Sequence, residues 1–339
     1  MKPIVLSAPF PRTLDLIFSP EKLTQLHEAY EIIETTGDDL PGLPDQMLGQ
    51  VRYIIGQPAL DAGTLDRLVR LRAVLNVESN LIDNMPYARI FSRGIHVLTT
   101  GAVFAMPVAE LGLGLALDLA RGISGADQDF QRGQEKWGGD GNTDAVLLSG
   151  ARVGIIGYGD LGRALRRLLT GFGCQIDVYD PWLPDRLLKA DGVRPATLAS
   201  VMSDAEFIFV VAAVTTENRH FIDRELLASM KPGARIILLS RAEVVDFDAL
   251  IAAVEEGRIR AASDVFPEEP PAPDHPVRSL KGFLRSAHRA GAMDAAFFQM
   301  GEMVLEDMSL MDRGLPPLCC KRAEPETARR MQSRPVDQN

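Results

Sequence analysis

The chain has 339 residues, of which 46% are hydrophobic and 24% charged, as in an ordinary globular protein of about two domains. Asp and Glu (46) outnumber Lys and Arg (36), and the net charge of -10 argues against nucleic acid and anionic membranes as main partners. Three cysteines without a CxxC pair exclude a disulfide scaffold and favour a reduced, cytoplasmic setting. We expect no signal peptide, because MKPIVLSAPF lacks a long apolar core with a small-residue cleavage site. We expect no membrane span, because glycine or charge interrupts the longest apolar stretches.

Short strand patterns alternate with helical patterns over the first hundred residues. The predicted strands are Ile4–Ser7, Arg52–Ile55, Ala73–Val77 and His96–Leu98, and the predicted helices are Pro20–Ala29 and Asn84–Phe91. Ser19 is placed to cap the helix that begins at Pro20. This alternation favours a small α/β unit with a parallel sheet. A long helix follows from Pro107 to Arg121, and its largely apolar circumference predicts burial between layers or domains.

A second α/β unit begins at Arg152. Its predicted strands are Arg152–Ile156, Gln175–Tyr179, Phe207–Ala212, Arg235–Leu239, Ile259–Ala262 and Phe283–Ser286, and its helices are Leu161–Leu169, Arg224–Met230 and Phe247–Glu256. This strand–helix alternation predicts a doubly wound sheet. A further helical pattern runs from after His288 to about Met311, and the Pro-rich, charged tail from Pro316 is expected to be poorly ordered.

A glycine-rich segment joins the first strand of this unit to its first helix. Gly157, Gly159 and Gly162 have the G-x-G-x-x-G spacing of a dinucleotide-binding turn. In such turns the first glycine permits a tight bend, the second lets the backbone approach a pyrophosphate, and the third lets the helix pack on the strand. The helix N-terminus then offers N–H groups and a positive dipole end to the phosphates. The alternative is a glycine-rich turn in another kind of α/β protein.

Asp180 ends the next predicted strand, 18 residues after Gly162. This is near the spacing of a carboxylate that accepts hydrogen bonds from ribose hydroxyls. A carboxylate there repels a 2′-phosphate, so the sequence favours NAD over NADP.

Hydride transfer to a ketone requires a cation for the substrate, a proton donor and a group that orients the donor. Ligands in doubly wound folds bind beyond the carboxyl ends of the strands. Arg241, Glu269 and His288 follow successive predicted strands at these ends. A planar guanidinium suits a carboxylate, and a carboxylate beside a histidine fixes its tautomer and favours the protonated imidazole.

Each of these residues has an alternative interpretation. Arg241 could be an exposed surface arginine, and composition alone favours Glu268 as much as Glu269. His288 could be a surface or cap histidine, and His275 is its rival. The arrangement of the three residues after successive strands is the reason for preferring them.

These segments resemble the D-2-hydroxyacid dehydrogenase family (D-isomer specific, NAD-binding) from about residue 70 to 312. PVAELGLGLALDLAR is similar to the family's helix that links two domains, and VGIIGYGDLG is similar to its cofactor loop. SRAEVVDFDAL, DVFPEEP and SAHRAG resemble the segments that carry the catalytic arginine, glutamate and histidine, which fall on Arg241, Glu269 and His288.

The resemblance implies an α/β fold with two Rossmann-like doubly wound parallel-sheet domains. An NAD-binding domain of residues 101–288 would be inserted into a discontinuous substrate domain of residues 1–100 and 289–339, with the active site in the cleft between them. Besides the glycines and Asp180, the cofactor-binding residues would include Asp160 and Leu161, Thr215 in the loop over the cofactor, and Asp264 near the nicotinamide carboxamide.

One departure from the family concerns the segment VLNVESNLIDN. The family's loop there is usually Gly-rich, and its N–H groups bind the substrate carboxylate. Ser79, Asn80 and Leu81 occupy these substrate-binding positions after Glu78, so we expect a reshaped pocket. Ala242, Leu238, Ala213 and Ala287 also stand where the family usually has Gly, Asn, Pro and Pro.

The resulting hypothesis is an NAD-dependent oxidoreductase that moves a hydride between NAD(H) and a small 2-hydroxy or 2-keto acid. Arg241 would bind the carboxylate, and His288, held by Glu269, would donate the proton. No metal is predicted, and a homodimer through the helix at 107–121 is expected. The alternatives are an NAD(H)-sensing regulatory or scaffold protein on the same fold and a dehydrogenase of phosphorylated substrates.

Overall fold

The computed structural model describes residues 2–77, 81–215 and 217–330. Within them the strands are β1 (Ile4–Ala8), β2 (Glu31–Glu34), β3 (Val51–Gly56), β4 (Ala73–Asn76), β5 (His96–Thr99), β6 (Arg152–Ile156), β7 (Gln175–Tyr179), β8 (Arg194–Pro195), β9 (Phe207–Val210), β10 (Arg235–Leu238), β11 (Arg260–Ser263), β12 (Phe283–Arg285) and β13 (Lys321–Arg322). The α-helices are α1 (Leu14–Ile17), α2 (Pro20–Ala29), α3 (Asp45–Leu48), α4 (Ala62–Arg67), α5 (Tyr87–Ser92), α6 (Ala105–Arg121), α7 (Ile123–Gln131), α8 (Asp160–Leu169), α9 (Asp185–Ala190), α10 (Leu198–Asp204), α11 (Arg224–Ser229), α12 (Phe247–Glu255), α13 (Asp294–Asp312) and α14 (Pro325–Ala328).

The chain divides into two compact units. Unit 1 comprises Met1–Val103, Thr215–Glu217 and Ala292–Asn339, and unit 2 comprises Phe104–Val214 and Asn218–Gly291. Both ends of the sequence therefore belong to unit 1. The predicted boundaries, 100/101 and 288/289, each lie three residues earlier.

Unit 1 is built on a six-stranded sheet in the order β13-β5-β4-β3-β1-β2. Strands β1 to β5 are parallel, and β13 pairs antiparallel to β5. Successive side chains of β3 face opposite sides of the sheet, as strand geometry requires. Ile54 lies in the apolar core formed with α4 and α5, whereas the Tyr53 hydroxyl donates to Asp312 of α13 at 2.7 Å. The predicted parallel α/β unit is confirmed, although β2 and α4 were not predicted.

Unit 2 is built on seven parallel strands in the order β12-β11-β10-β9-β6-β7-β8. Ile236 and Leu238 of β10 pack on the face covered by α10, α11 and α12. Ile237 of the same strand packs on the other face, with α6 and α8. Helices therefore cover both faces, and the predicted doubly wound fold class is confirmed. The strand order reverses between β6 and β9, and ligands of such sheets bind outside the carboxyl ends of the strands at this point.

Helix α6 packs against α8 and β10 of unit 2 on one face only. Gly112 lies on this face, where a Cβ would come within 2.4 Å of Leu239. Leu111 and Leu115 flank this face on one side and Leu113 and Leu117 on the other, and all four are half-buried against the unit 2 core. With the preceding turn, Gly101–Arg121 is long and apolar enough to cross a membrane by length and composition, and 33% of that window is buried. The predicted burial of this helix therefore holds for one face.

The C-terminal tail differs from its prediction. Residues 316–330 are held on unit 1 rather than being poorly ordered, because β13 extends the sheet and Asp307 anchors the preceding turn. The fully buried Asp307 carboxylate accepts the N–H groups of Leu318, Cys319 and Cys320 at 2.7 to 2.9 Å. The prediction of a poorly ordered tail rested on its proline and charge content. It did not include this anchor, because the acceptor lies in α13, more than ten residues earlier.

Candidate active site

The glycine-rich turn joins β6 to α8 at the carboxyl end of β6. Gly157 has a φ of 91°, and a Cβ there would lie 2.7 Å from the backbone of Ala212. A Cβ on Gly162 would lie 2.5 Å from the Gly157 carbonyl oxygen. A Cβ on Gly159, in contrast, would meet no described atom within 4 Å. The chain's own packing therefore requires two of the glycines, and Gly159 faces open space in which a phosphate group fits.

Helix α8 begins at Asp160 directly after this space. Its N-cap is Gly159, and no side chain among the described residues caps it. The positive end of the helix dipole is therefore available to an anion at the turn. Leu161 follows in the first turn and is half-buried against the unit 2 core. These features fit the pyrophosphate of a dinucleotide.

Asp180 follows β7 and is joined to the glycine-rich turn by hydrogen bonds. Its Oδ2 accepts the N–H of Tyr158 at 2.7 Å, and its Oδ1 accepts the N–H of Trp182 at 2.9 Å. Each carboxylate oxygen has two acceptor positions, so Asp180 retains capacity for ribose hydroxyls. The predicted ribose-binding carboxylate thus lies beside the turn, and its contact with ribose stays a prediction.

Glu269 and His288 form a hydrogen-bonded pair near the carboxyl ends of β11 and β12. The distance from His288 Nδ1 to Glu269 Oε2 is 2.5 Å. The His288 side chain is 46% exposed and that of Glu269 is 35% exposed, so the pair borders solvent. Because an ionised carboxylate only accepts, Nδ1 carries the hydrogen and Nε2 is left to exchange a proton. The structure thus brings Glu269, and not its rival Glu268, to the imidazole.

The surroundings favour the ionised form of Glu269. Burial raises its pKa, but the hydrogen bonds from His288 and from the N–H of Phe266 hold the pKa below its ordinary value. The positive charge of Arg241 acts in the same direction. Arg241 follows β10 and is half-buried, and its guanidinium donates to the carbonyl oxygen of Ser240 at 2.8 Å. The three predicted catalytic side chains therefore follow the neighbouring strands β10, β11 and β12.

Asp264 follows β11 and is 1% exposed. Its carboxylate accepts the N–H groups of Arg289 and Ala290, both at 3.1 Å. Its contact with a nicotinamide carboxamide stays a prediction. Sequence reasoning missed these two bonds and the bond from Phe266 N–H to Glu269, because a backbone donor has no residue-type signature.

Four other predicted residues belong to unit 1. Ser79 and Asn80 lie outside the described residues. Leu81 is 3% exposed and packs in the unit 1 core, so its role in substrate binding stays a prediction. Thr215 is buried, and its Oγ1 accepts the N–H of Glu217 at 3.2 Å.

Gln57 lies at the carboxyl end of β3. It is 8% exposed, and its Nε2 donates to the carbonyl oxygen of Ile82 at 3.0 Å. Its Oε1 is buried without a partner among the described residues. Among residues 2–77, 81–215 and 217–330, no group of three or more His, Cys, Asp or Glu side chains is placed to hold a metal ion.

The doubly wound sheet and the glycine-rich turn define a dinucleotide-binding protein. Residues 113–290 match the family model for the NAD binding domain of D-isomer specific 2-hydroxyacid dehydrogenases. The chain belongs to this family, as its sequence predicted. The predicted reaction class, hydride transfer between NAD(H) and a small hydroxy or keto acid, is thereby confirmed.

Known relatives agree with this assignment. The crystal structure of a phosphoglycerate oxidoreductase from Rhizobium etli is 62% identical, with a TM-score of 0.89 over 96% of this chain and 100% of that chain. A glyoxylate reductase from Korarchaeum cryptofilum is 32% identical over 88% of this chain and 92% of its own length. A D-3-phosphoglycerate dehydrogenase from Methanocaldococcus jannaschii is 33% identical over 69% of this chain, which spans only 44% of that relative.

Proposed function

We propose that this chain is an NAD(H)-dependent reductase of a small, unphosphorylated 2-keto acid. The observation that carries the proposal is the 2.5 Å contact between His288 Nδ1 and Glu269 Oε2, which leaves Nε2 as the proton donor. His288 follows β12, a strand of the same sheet as β6, which the dinucleotide turn follows. An imidazole held in one tautomer by a carboxylate is suited to general acid–base catalysis near neutral pH.

The roles of the chain's residues follow from this geometry. A bound nicotinamide supplies the hydride in one direction and accepts it in the other. Arg241 binds the substrate carboxylate and polarises the neighbouring carbonyl. His288 gives the proton on Nε2 to the carbonyl oxygen, and Glu269 stabilises the imidazolium through Nδ1. In the oxidative direction the neutral His288 takes the hydroxyl proton.

The preference for NAD over NADP rests on Asp180. Its carboxylate is held by two backbone N–H groups beside the turn. Carboxylates that follow the second strand of such units bind the adenosine ribose, and this supports the same role for Asp180. A 2′-phosphate there would meet like charge.

The substrate class rests on the segments that follow β3 and β4. Residues 57–60 and 77–85 contain no Lys or Arg, which a substrate phosphate would require. Relatives named glyoxylate reductase and hydroxypyruvate reductase support small keto acids. Oxidation of phosphoglycerate is a second candidate, because the 62% identical structure is named a phosphoglycerate oxidoreductase.

The decisive experiment is an activity screen. NADH and NADPH oxidation is followed with glyoxylate, hydroxypyruvate and 3-phosphohydroxypyruvate, and NAD reduction with 3-phosphoglycerate. We expect NADH-linked reduction of the first two. Turnover confined to the phosphorylated pair would establish the second candidate. Tight NADH binding without turnover on any acid would instead identify an NAD(H) sensor.

His288→Ala tests the proton donor. We expect kcat to fall by about 100-fold or more while NADH binding, measured by fluorescence, persists. His275→Ala is the matched control, because His275 only caps the turn at Pro276–Arg278 through Val277 N–H. Equal activity of the two variants would contradict the assignment.

We also propose that two copies associate through α6 and the segment that follows it, in a cytoplasmic setting without nucleic acid or membrane partners. This segment exposes Ile123, Phe130, Trp137 and Leu147 by 55 to 75%. These four exposed apolar side chains, with the half-buried leucines of α6, are the surface that we assign to a protein partner. A second copy offers the same apolar surface, as a twofold interface requires.

The oligomeric state in solution tests this interface. We expect sedimentation equilibrium to report a dimer, and Phe130→Glu with Trp137→Glu to shift it to monomer. Val69→Glu is the control, because Val69 is 68% exposed in unit 1. A monomeric native protein, or one that co-sediments with lipid vesicles, would contradict the proposal.

A further inference from the structure

The turn that carries His288 has an unusual backbone. His288 has a φ of 47°, and His220 is the other described non-glycine residue with a positive φ. L-residues rarely adopt this left-handed conformation, and they keep it only when the surroundings impose it. His288 is exposed, so its own side chain is not packed tightly enough to impose it. The restraint must come from elsewhere.

Asp264 supplies three hydrogen bonds to this turn. Its carbonyl oxygen accepts the N–H of His288 at 2.7 Å. Its Oδ1 and Oδ2 accept the N–H groups of Arg289 and Ala290, each at 3.1 Å. Three successive N–H groups of the turn therefore end on one residue.

Asp264 is itself held rigidly. It is 1% exposed, and its own N–H donates to the carbonyl oxygen of Leu238 in the neighbouring strand at 3.1 Å. The turn is also fixed before and after these bonds. Ser286 N–H donates to the carbonyl oxygen of Ser263 at 2.9 Å. A Cβ on Gly291 would lie 2.6 Å from the Phe104 ring. The backbone before His288 is thus tied to the sheet of unit 2, and the backbone after it packs closely on Phe104.

We propose that Asp264 is a positioning residue, whose carboxylate holds the His288 turn so that Nδ1 meets Glu269. A carboxylate suits this task because both of its oxygens accept, whereas an asparagine amide offers one acceptor and one donor. Because the N–H groups of Arg289 and Ala290 point at different oxygens, one of them would face the NH2 group of an asparagine. This inference rests on the proposed function, since it acts through the proposed proton donor. It is compatible with a cofactor contact, because each carboxylate oxygen has a second acceptor position.

Asp264→Asn tests the inference by two readouts. We expect kcat to fall by about 100-fold, as for a small misplacement of a catalytic group, while the Kd for NADH changes by less than about 3-fold. We also expect the amides of Arg289 and Ala290 to exchange with solvent at least about 10-fold faster, since one loses its acceptor. Asp177→Asn is the matched control, because Asp177 is a 1% exposed carboxylate in the same sheet. It should leave kcat and exchange at residues 289–290 unchanged.

A double substitution separates positioning from a direct role. In a His288→Ala background, Asp264→Asn should reduce the residual turnover no further. Independent, multiplicative losses would overturn the inference, as would a loss confined to NADH affinity. If the native protein turns over no acid, the proposed function fails, and amide exchange still decides whether Asp264 holds the turn. If Asp264→Asn does not fold, Asp264→Glu is measured with the same expectations, because its longer side chain displaces both acceptors.

Discussion

Glu268 and Glu269 are adjacent acidic residues whose surroundings differ completely. Glu269 Oε1 accepts the N–H of Phe266 at 2.8 Å, which turns Oε2 toward His288. No such bond involves Glu268 among the described residues. The distinction that composition could not make is therefore made by one backbone hydrogen bond.

Glu269→Gln should lower kcat by about 100-fold. The amide keeps an acceptor for Phe266 N–H but turns a donor toward the donor on His288 Nδ1. Steady-state kinetics measure the loss, and Glu268→Gln is the control. Comparable losses in both variants would show that the negative charge of the loop, rather than the Glu269–His288 pair, supports turnover.

The pair also has a defined pH dependence. The pKa of Glu269 is lowered from its ordinary value of 4.5, so its contribution to stability is complete above that value and is lost as pH falls through the lower folded value. Activity lost near neutral pH on acidification would therefore have another cause than protonation of Glu269.

The glycines of the dinucleotide turn provide a second comparison between residues. Gly159→Ala should leave the melting temperature unchanged, because its Cβ meets no described atom, but should weaken NADH binding by about 10-fold or more by occupying phosphate space. Gly157→Ala should destabilise the fold by about 1–3 kcal/mol, because of its positive φ and the close Ala212 backbone. Calorimetry and NADH titration measure both. Normal NADH binding by Gly159→Ala would contradict the proposed phosphate position.

At the scale of elements, a side-chain cap that is visible in the sequence sets where a helix begins. Helix α2 begins after Ser19, whose Oγ accepts the N–H of Lys22, and its range is the predicted one. Helix α7, in contrast, was not predicted, and none of its residues is buried. Ile123, Ala126 and Phe130 have the spacing of one helix face, but the segment is too short and too polar for this spacing alone to predict a helix.

The tail is the element whose order depends most on one side chain. Asp307→Asn should destabilise unit 1 by about 1–3 kcal/mol, because a buried amide cannot accept all three N–H groups of residues 318–320. Limited proteolysis should then cleave the chain after Pro316 faster. Glu306→Gln is the control, because Glu306 accepts only the Cys319 thiol at 3.0 Å. Unchanged cleavage would show that β13 alone holds the tail.

At the scale of the whole molecule, acid sensitivity of unit 2 should centre on Asp177. This buried carboxylate accepts hydrogen bonds from the guanidinium groups of Arg152 at 2.8 Å and Arg194 at 2.5 Å. Asp177 therefore links β7 to β6 and β8. Burial raises the pKa of Asp177, but the hydrogen bonds from Arg194 and Arg152 lower it below 3.8 overall. Its stabilisation is therefore present above that pH and is lost as pH falls through the folded value.

Urea unfolding at several pH values measures this effect. Asp177→Asn should lower the free energy of unfolding at pH 7 by about 1–3 kcal/mol and flatten its decline in acid. Asp185→Asn is the control, because Asp185 is 72% exposed and 3.8 Å from Lys189. An unchanged acid limb in Asp177→Asn would assign the sensitivity to other carboxylates.

The sequence alone determined the fold class, the dinucleotide turn and the order of Arg241, Glu269 and His288, because hydrophobic period and glycine spacing are local properties that survive without a structure. Tertiary structure decided which glutamate meets the imidazole, what holds His288 in its left-handed turn and why the tail is ordered. In each case the deciding partner is a backbone N–H or a buried carboxylate brought close by folding. Backbone donors look alike in every residue, so only their positions in space distinguish them.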